Sequence, residues 1–121
     1  MSFYRILEKS MRKTVAYLRV STLGQDIEKN KSDILHFANQ RELGKVHFIE
    51  EIATGRTPWR ERRIAEVLED LQASDILIVA ELSRLGRSML ECMEILAWAT
   101  RKGICLYWVK SHKGTYLPIG I

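Results

Sequence analysis

The sequence predicts an α/β fold: an open, mainly parallel four-stranded sheet with helices on both faces. Two observations carry that reading. Apolar segments alternate as strand, helix, strand, helix, strand, helix, strand along the 121 residues, an order that implies right-handed crossovers within one sheet. The run DILIVAEL at 75–82 is also apolar without alternation, as in a strand covered on both faces.

The first strand is expected at about 13–20, where Val15, Tyr17, Leu18 and Val20 favour extended backbone. A helix near 27–42 follows, with Ile27, Ile34, Leu35, Ala38 and Phe37 as its apolar stripe. VHFIEE at 46–51 is the second strand. Thr57-Pro58 reads as a helix start, a hydroxyl cap before proline at the first helical position. Ile64, Val67, Leu68 and Leu71 continue with helical spacing to about Gln72. The third strand is the 75–82 run. Ser88 and Glu91 form an S-x-x-E capping box for a helix whose Met89, Met93, Leu96 and Ala97 are expected to face inward, ending before Gly103. ICLYWV at 104–109 is the fourth strand. No internal repeat or low-complexity linker interrupts the series.

Composition narrows the function classes. With 46% hydrophobic and 28% charged residues, the chain suits one globular domain. Its formal charge of +4 is compatible with a nucleic-acid or phosphate partner but does not single one out. Cys92 and Cys105 lack CxxC spacing and sit in apolar segments, which favours reduced, buried thiols over a disulfide or zinc site. His36, His47 and His112 form no ligand pairs, and no Asp/Glu cluster resembles a magnesium site, so no metal is expected. The opening residues MSFYRILEKSMR are not a secretory signal, and no stretch is apolar enough to span a bilayer. These features imply a soluble, cytoplasmic protein.

In open α/β sheets, ligands bind outside the carboxyl ends of the strands. Three loops are expected there. The first carries Arg19, Ser21 and Gln25; the second, ATGRTPWRER at 53–62, carries Arg56, Arg60 and Arg62; the third, ELSRLGRS at 81–88, carries Ser83, Arg84 and Arg87. One hydroxyl among several arginines points to phosphoryl transfer, because guanidinium forks match phosphate oxygens and stay charged at working pH. Fixed cations stabilise charge that spreads over the equatorial oxygens of a phosphodiester under attack. Arginine is a poor base, so the group that removes the Ser21 proton is left unassigned. A second reading stays open for the middle loop: Arg60 and Arg62 equally fit a solvated helix face paired with Glu61 or Glu66. Ser88 is explained by capping, and Met89, Cys92, Met93 and Leu96 by core packing. Trp59, Trp98 and Trp108 offer surfaces for stacking on bases, with packing preferred for the latter two.

YLRVST at 17–22 with Gln25, ATGRTPWRER at 53–62 and ELSRLGRS at 81–88, in this order and at these distances, resemble the serine site-specific recombinases, the resolvases and DNA invertases. The resemblance covers residues 13–110, and the SRLGRSMLECMEIL run places it nearest the invertase branch. It implies a catalytic domain at 13–110, an N-terminal extension at 1–12 and a short tail at 111–121. It also implies that Ser21 attacks a DNA phosphodiester to form a 5′-phosphoserine link, with no cofactor, no metal and no ATP. Arg19, Arg84 and Arg87 would hold the scissile phosphate and Gln25 would orient the loop. Arg60 is the favoured second-loop catalytic arginine and Arg62 the alternative; Arg56, Arg60, Arg62, Arg84 and Arg87 would contact DNA. The implied partners are a DNA crossover site and further copies of the chain, as homodimer or tetramer.

Two departures stand out. Ser83 occupies a place where many members carry aspartate, and VKSHKGTYLPIGI at 109–121 shows neither the long dimerisation helix nor the helix-turn-helix domain of the family. The sequence is therefore expected to be a fragment or the product of a truncated gene, and the isolated chain to bind DNA weakly and with little sequence preference. The alternative to an enzyme is a non-enzymatic remnant that folds and pairs with full-length relatives. A nucleotide-binding signalling domain is disfavoured, because neither GxGxxG nor GxxxxGK[ST] occurs.

Overall fold

The computed structural model of the chain describes residues 12–20, 27–52, 56–82 and 85–109. Its elements are β1 (Thr14–Val20), α1 (Ile27–Gln40), β2 (Val46–Ile52), a 3-10 turn (Trp59–Glu61), α2 (Arg63–Asp70), β3 (Ile76–Val79), α3 (Met89–Lys102) and β4 (Cys105–Trp108). The strands form one sheet in the order β2-β1-β3-β4, every neighbouring pair parallel. This is the architecture that the alternation of apolar runs predicts.

Strand alternation divides the core into two layers. On one face Ala16, Leu18, Ile76 and Ile78 pack against Ile34, Phe37 and Ala38 of α1. On the other, Val15, Tyr17, Leu77 and Val79 pack against Ile64, Val67 and Leu68 of α2 and Cys92, Ile95 and Ala99 of α3. One helix thus covers the first face and two cover the second. β3 is only four residues long, shorter than the 75–82 run, and all four are buried.

The amino ends of the strands are fastened by Asp75, which is buried just before β3. Its carboxylate accepts hydrogen bonds from the backbone N–H of Lys13 at 3.0 Å and of Gln72 at 2.8 Å. Lys13 also pairs with Asp70 at 2.6 Å across an exposed surface. At the far end of α3, Gly103 adopts the left-handed conformation, φ 84°, that closes a helix without a Cβ clash.

Several expectations from the sequence need correction. Pro58 precedes a 3-10 turn, with no side-chain cap; the chain then extends through Arg62 and α2 begins only at Arg63. The break exists because the Arg62 side chain turns into the core, as described below. Leu35 is exposed, whereas Phe37 fills the inner face of α1. On α3 the inward residues are Glu91, Cys92, Ile95 and Ala99. Met89 and Met93 are 75% and 58% exposed and Ala97 is exposed as well, while Leu96 packs at the margin of the core. The buried stripe is rotated from the expected one because Glu91 is drawn inward by two arginines. Cys105 is only half-buried, and both thiols are free.

Candidate active site

Because all four strands are parallel, the segments leaving β1, β2 and β3 emerge at one edge of the sheet. β1 lies between β2 and β3, and its following helix covers the opposite face from those that follow β2 and β3. The carboxyl end of β1 is therefore the switch point where open α/β sheets leave a crevice. Ser21, Gln25 and Arg84 lie outside the described residues. Arg19, Arg56, Arg60, Arg62 and Arg87 are all described, and each finds a different setting.

Arg19 sits two residues beyond Tyr17 on β1, so strand alternation directs both side chains to the face covered by α2 and α3. Its Nε and Nη1 are buried and have no hydrogen-bond partner among the described residues. A guanidinium with buried, unpaired N–H groups carries a large desolvation cost that an anion would offset.

Arg60 and Arg62 diverge sharply. Arg60 is exposed and lies over the ring of Trp59, 4.6 Å from its centroid. Trp59 itself is buried, and its Nε1 donates to Glu94 at 3.3 Å, which removes the indole as a platform for bases. Arg62 has a side chain only 1% exposed. Its Nη2 donates to the Leu85 carbonyl at 2.9 Å and to Glu91 Oε1 at 3.1 Å, and its Nη1 to the Tyr17 hydroxyl at 3.4 Å. Among the described residues neither arginine forms an ion pair with Glu61 or Glu66; the partner of Arg62 is Glu91.

The network continues in both directions. Tyr17 donates to Glu51 Oε1 at 2.6 Å, while Glu51 Oε2 accepts from the backbone N–H of Arg63 at 2.9 Å. An acidic side chain from β2 thereby serves the first turn of α2, whose own N-cap, Arg62, makes no side-chain cap bond. Burial, and then the hydrogen bond to Glu51, push the Tyr17 phenol well above its ordinary value, so it stays a neutral donor.

On the other side, Ser88 Oγ accepts from the Glu91 N–H at 3.1 Å, which is half of the expected capping box. The reciprocal bond goes elsewhere: Glu91 Oε1 accepts from the backbone N–H of Arg87 at 3.0 Å, and Oε2 pairs with Arg87 Nε at 3.0 Å. Arg87 Nη1 donates to the Arg56 carbonyl at 3.0 Å, tying the third loop to the second. Burial alone would raise the Glu91 carboxyl, but the backbone N–H groups of Arg87 and Trp59 and the Arg62 and Arg87 guanidiniums hold it below 4.5. Gly86 is buried beneath this turn. A Cβ there would come within 2.9 Å of Cys92 N and Glu91 Cβ, so only glycine lets the loop lie this close to α3.

Glu91, Tyr17 and Glu51 were not among the sequence-predicted site residues. For Glu91 the signal was present in two parts, a capping-box position and an arginine four residues earlier, but the inward turn depends on Arg62, 29 positions away. Among the described residues no group of His, Cys, Asp and Glu is placed to hold a metal, and no helix is long and apolar enough to cross a membrane.

Fold and site together define an open parallel α/β domain that gathers arginines at the carboxyl edge of its sheet. The sequence profile described as "Resolvase, N terminal domain" matches residues 14–120. A transposon Tn1546 resolvase from Enterococcus faecium is 34% identical over 109 residues, covering 90% of this chain and 51% of that protein. A resolvase from Clostridium perfringens (strain 13 / Type A) is 30% identical over 103 residues, covering 85% and 50%. Among solved structures, the C-terminal catalytic domain of ISC1926 TnpA, an IS607-like serine recombinase, shares the fold with a TM-score of 0.60 at 19% identity, over 84% of this chain and 72% of that one. The chain belongs to the resolvase family, and it spans about half the length of the curated relatives it matches.

Proposed function

We propose that the chain is the strand-cleaving domain of a site-specific DNA recombinase. Ser21 Oγ attacks a backbone phosphorus; the Oγ–P bond forms as the P–O3′ bond breaks, leaving the 5′ phosphate on serine and a 3′ hydroxyl on the other strand end. The serine proton departs to a base and the 3′ oxygen takes one up. Rejoining is the reverse attack by a 3′ hydroxyl, and because the phosphoserine ester keeps the bond energy, neither ATP nor metal takes part. Arg19, Arg84 and Arg87 hold the non-bridging oxygens and Gln25 orients the first loop.

The observation that carries this reading is Arg19. Its buried N–H groups, unpartnered among the described residues, lie near the strand end that leads into Ser21, on the face that also holds Arg62 and the turn before α3 that bears Arg87. For the second loop, burial beside Tyr17 and Leu85 favours Arg62 as the inner arginine, with exposed Arg60 and Arg56 left for more peripheral DNA phosphates. The finer reading, inversion over resolution, rests on the SRLGRSMLECMEIL run, while the named relatives are resolvases. Paired sites in direct or inverted orientation on one plasmid would separate the two outcomes. The working unit we propose is a dimer that assembles into a tetramer on DNA, in the cytoplasm.

The test is to incubate the gene's complete product with duplexes tiling the DNA around its own gene, then resolve covalent protein–DNA adducts under denaturing conditions. An adduct mapping to Ser21 and absent in Ser21→Ala is expected. Folded protein that yields none on any tile overturns the proposal and favours the non-enzymatic remnant.

A further inference from the structure

We propose that Glu91 is a positioning residue of the recombination site: it aims Arg87 at the DNA phosphate and locks the second and third loops into one unit through Arg62. The inference rests on the reading of Arg87 as a phosphate ligand, and it adds a carboxylate to a site otherwise described by its hydroxyl and its cations.

The geometry is more than a helix cap requires. A capping glutamate needs one backbone N–H to satisfy, and the bond from Arg87 N to Oε1 supplies it. Glu91 additionally takes Arg87 Nε on Oε2 and Arg62 Nη2 on Oε1, so a single carboxylate receives donors from two loops. It holds Arg87 at both the backbone and the head of the side chain, while the Arg56 carbonyl takes Nη1. Two anchors on the guanidinium, at Nε and Nη1, fix its plane, and a planar fork is useful only when its plane is fixed.

Nor is stability a sufficient reason for the arrangement. A buried ion pair contributes little net stability compared with well-packed apolar side chains, because desolvation offsets the Coulombic gain. Glu91 and Arg62 are 8% and 1% exposed at their side chains, where that desolvation is nearly complete. Gly86 adds a second, independent constraint, since its lack of a Cβ lets the loop backbone settle against Glu91 itself. What this construction provides is an orientation, and the oriented group is the arginine that leaves the core and reaches the rim.

The experiment is a double-mutant cycle on the complete gene product with two readouts. Glu91→Gln keeps the shape but replaces an acceptor oxygen with an amide that faces donors. It is expected to slow Ser21 adduct formation by about 10- to 100-fold, the scale of a small misplacement of a catalytic group, with DNA affinity little changed. In an Arg87→Ala background the same substitution is expected to change the rate less than twofold, because the group it positions is gone. Equal slowing in both backgrounds means that Glu91 serves the fold alone and overturns the proposal. The second readout is hydrogen exchange at the Arg87 Nε–H by nitrogen-15 NMR, which needs no DNA. Faster exchange in Glu91→Gln supports the anchoring and unchanged exchange overturns it. Should wild-type protein form no adduct, the recombinase reading fails by itself and the exchange measurement still decides whether Glu91 holds Arg87.

Discussion

At the amino edge of the sheet, Asp75 takes two backbone N–H groups and Lys13 meets Asp70 in solvent; at the carboxyl edge, Arg19 keeps two buried nitrogens without a partner among the described residues, and so does Nε of Arg62. One edge has satisfied its polar groups locally and holds the strands together. The other buries guanidinium nitrogens that no described residue satisfies. Natural structures leave few such groups unsatisfied, and the exceptions concentrate where a ligand completes them. The difference separates scaffold from site more clearly than any single residue does.

The comparison can be broken most severely at Arg62. Arg62→Ala removes one member of a buried pair, leaving Glu91 to Arg87 alone, Tyr17 to Glu51 alone and the Leu85 carbonyl without its guanidinium donor; denaturant unfolding is expected to show a loss of about 3–5 kcal/mol. Replacing both Arg62 and Glu91 by apolar residues of similar volume should recover much of that stability without restoring Ser21 adducts. Gly86→Ala, which places a methyl group against Glu91 and Cys92, is expected to cost about 1–3 kcal/mol through overpacking. Asp75→Ala tests the opposite edge. It exposes no site chemistry but leaves two N–H groups unsatisfied, a loss of about 1–3 kcal/mol in the same unfolding measurement, with Arg87 Nε–H exchange unchanged.

A smaller effect is read from pH. The Glu91 carboxyl is depressed in the folded state, so its contribution to stability is complete above its ordinary value of 4.5 and declines as pH falls through the lower folded value. The stability gap between wild type and Glu91→Gln should therefore be constant near neutrality and close only under acid conditions below 4.5. Smallest of all is Lys13→Ala, whose partner is exposed; its thermal midpoint should match wild type at moderate salt. A large loss there would mean that the two edges are less different than their hydrogen bonding indicates.

Much of this fold could be read from apolar spacing. Uninterrupted Ile76 to Val79 announced a strand covered on both sides, and Ile64, Val67, Leu68 and Leu71 reached the core as their helical spacing required. The α3 face differs from the expected one because a hydrophobic count ranks Met89 and Met93 above Glu91, whereas the fold ranks them by what each can reach. Glu91 reaches Arg62. The same long-range pair explains why α2 starts later than its local signal indicates: Thr57-Pro58 is a sound helix entry, but Arg62 must leave helical geometry to enter the core. Of the site, the gathering of three loops at one edge followed from parallel topology. Which of Arg60 and Arg62 lies inside did not, because arginine burial is decided by partners 29 and 45 positions away that no local pattern contains.

Surface connections are ordinarily the first parts of a domain to open, since few contacts cross them. Here the segment around Trp59–Ile64 and that around Leu85–Cys92 share one salt-linked peg, with a tyrosine of the central strand behind it. Neither can come away without dragging the other and disturbing the sheet. These two segments should therefore exchange their amides in step with the interior, and under the proposed function control over cleavage would come from admitting or aligning DNA rather than from separating the two.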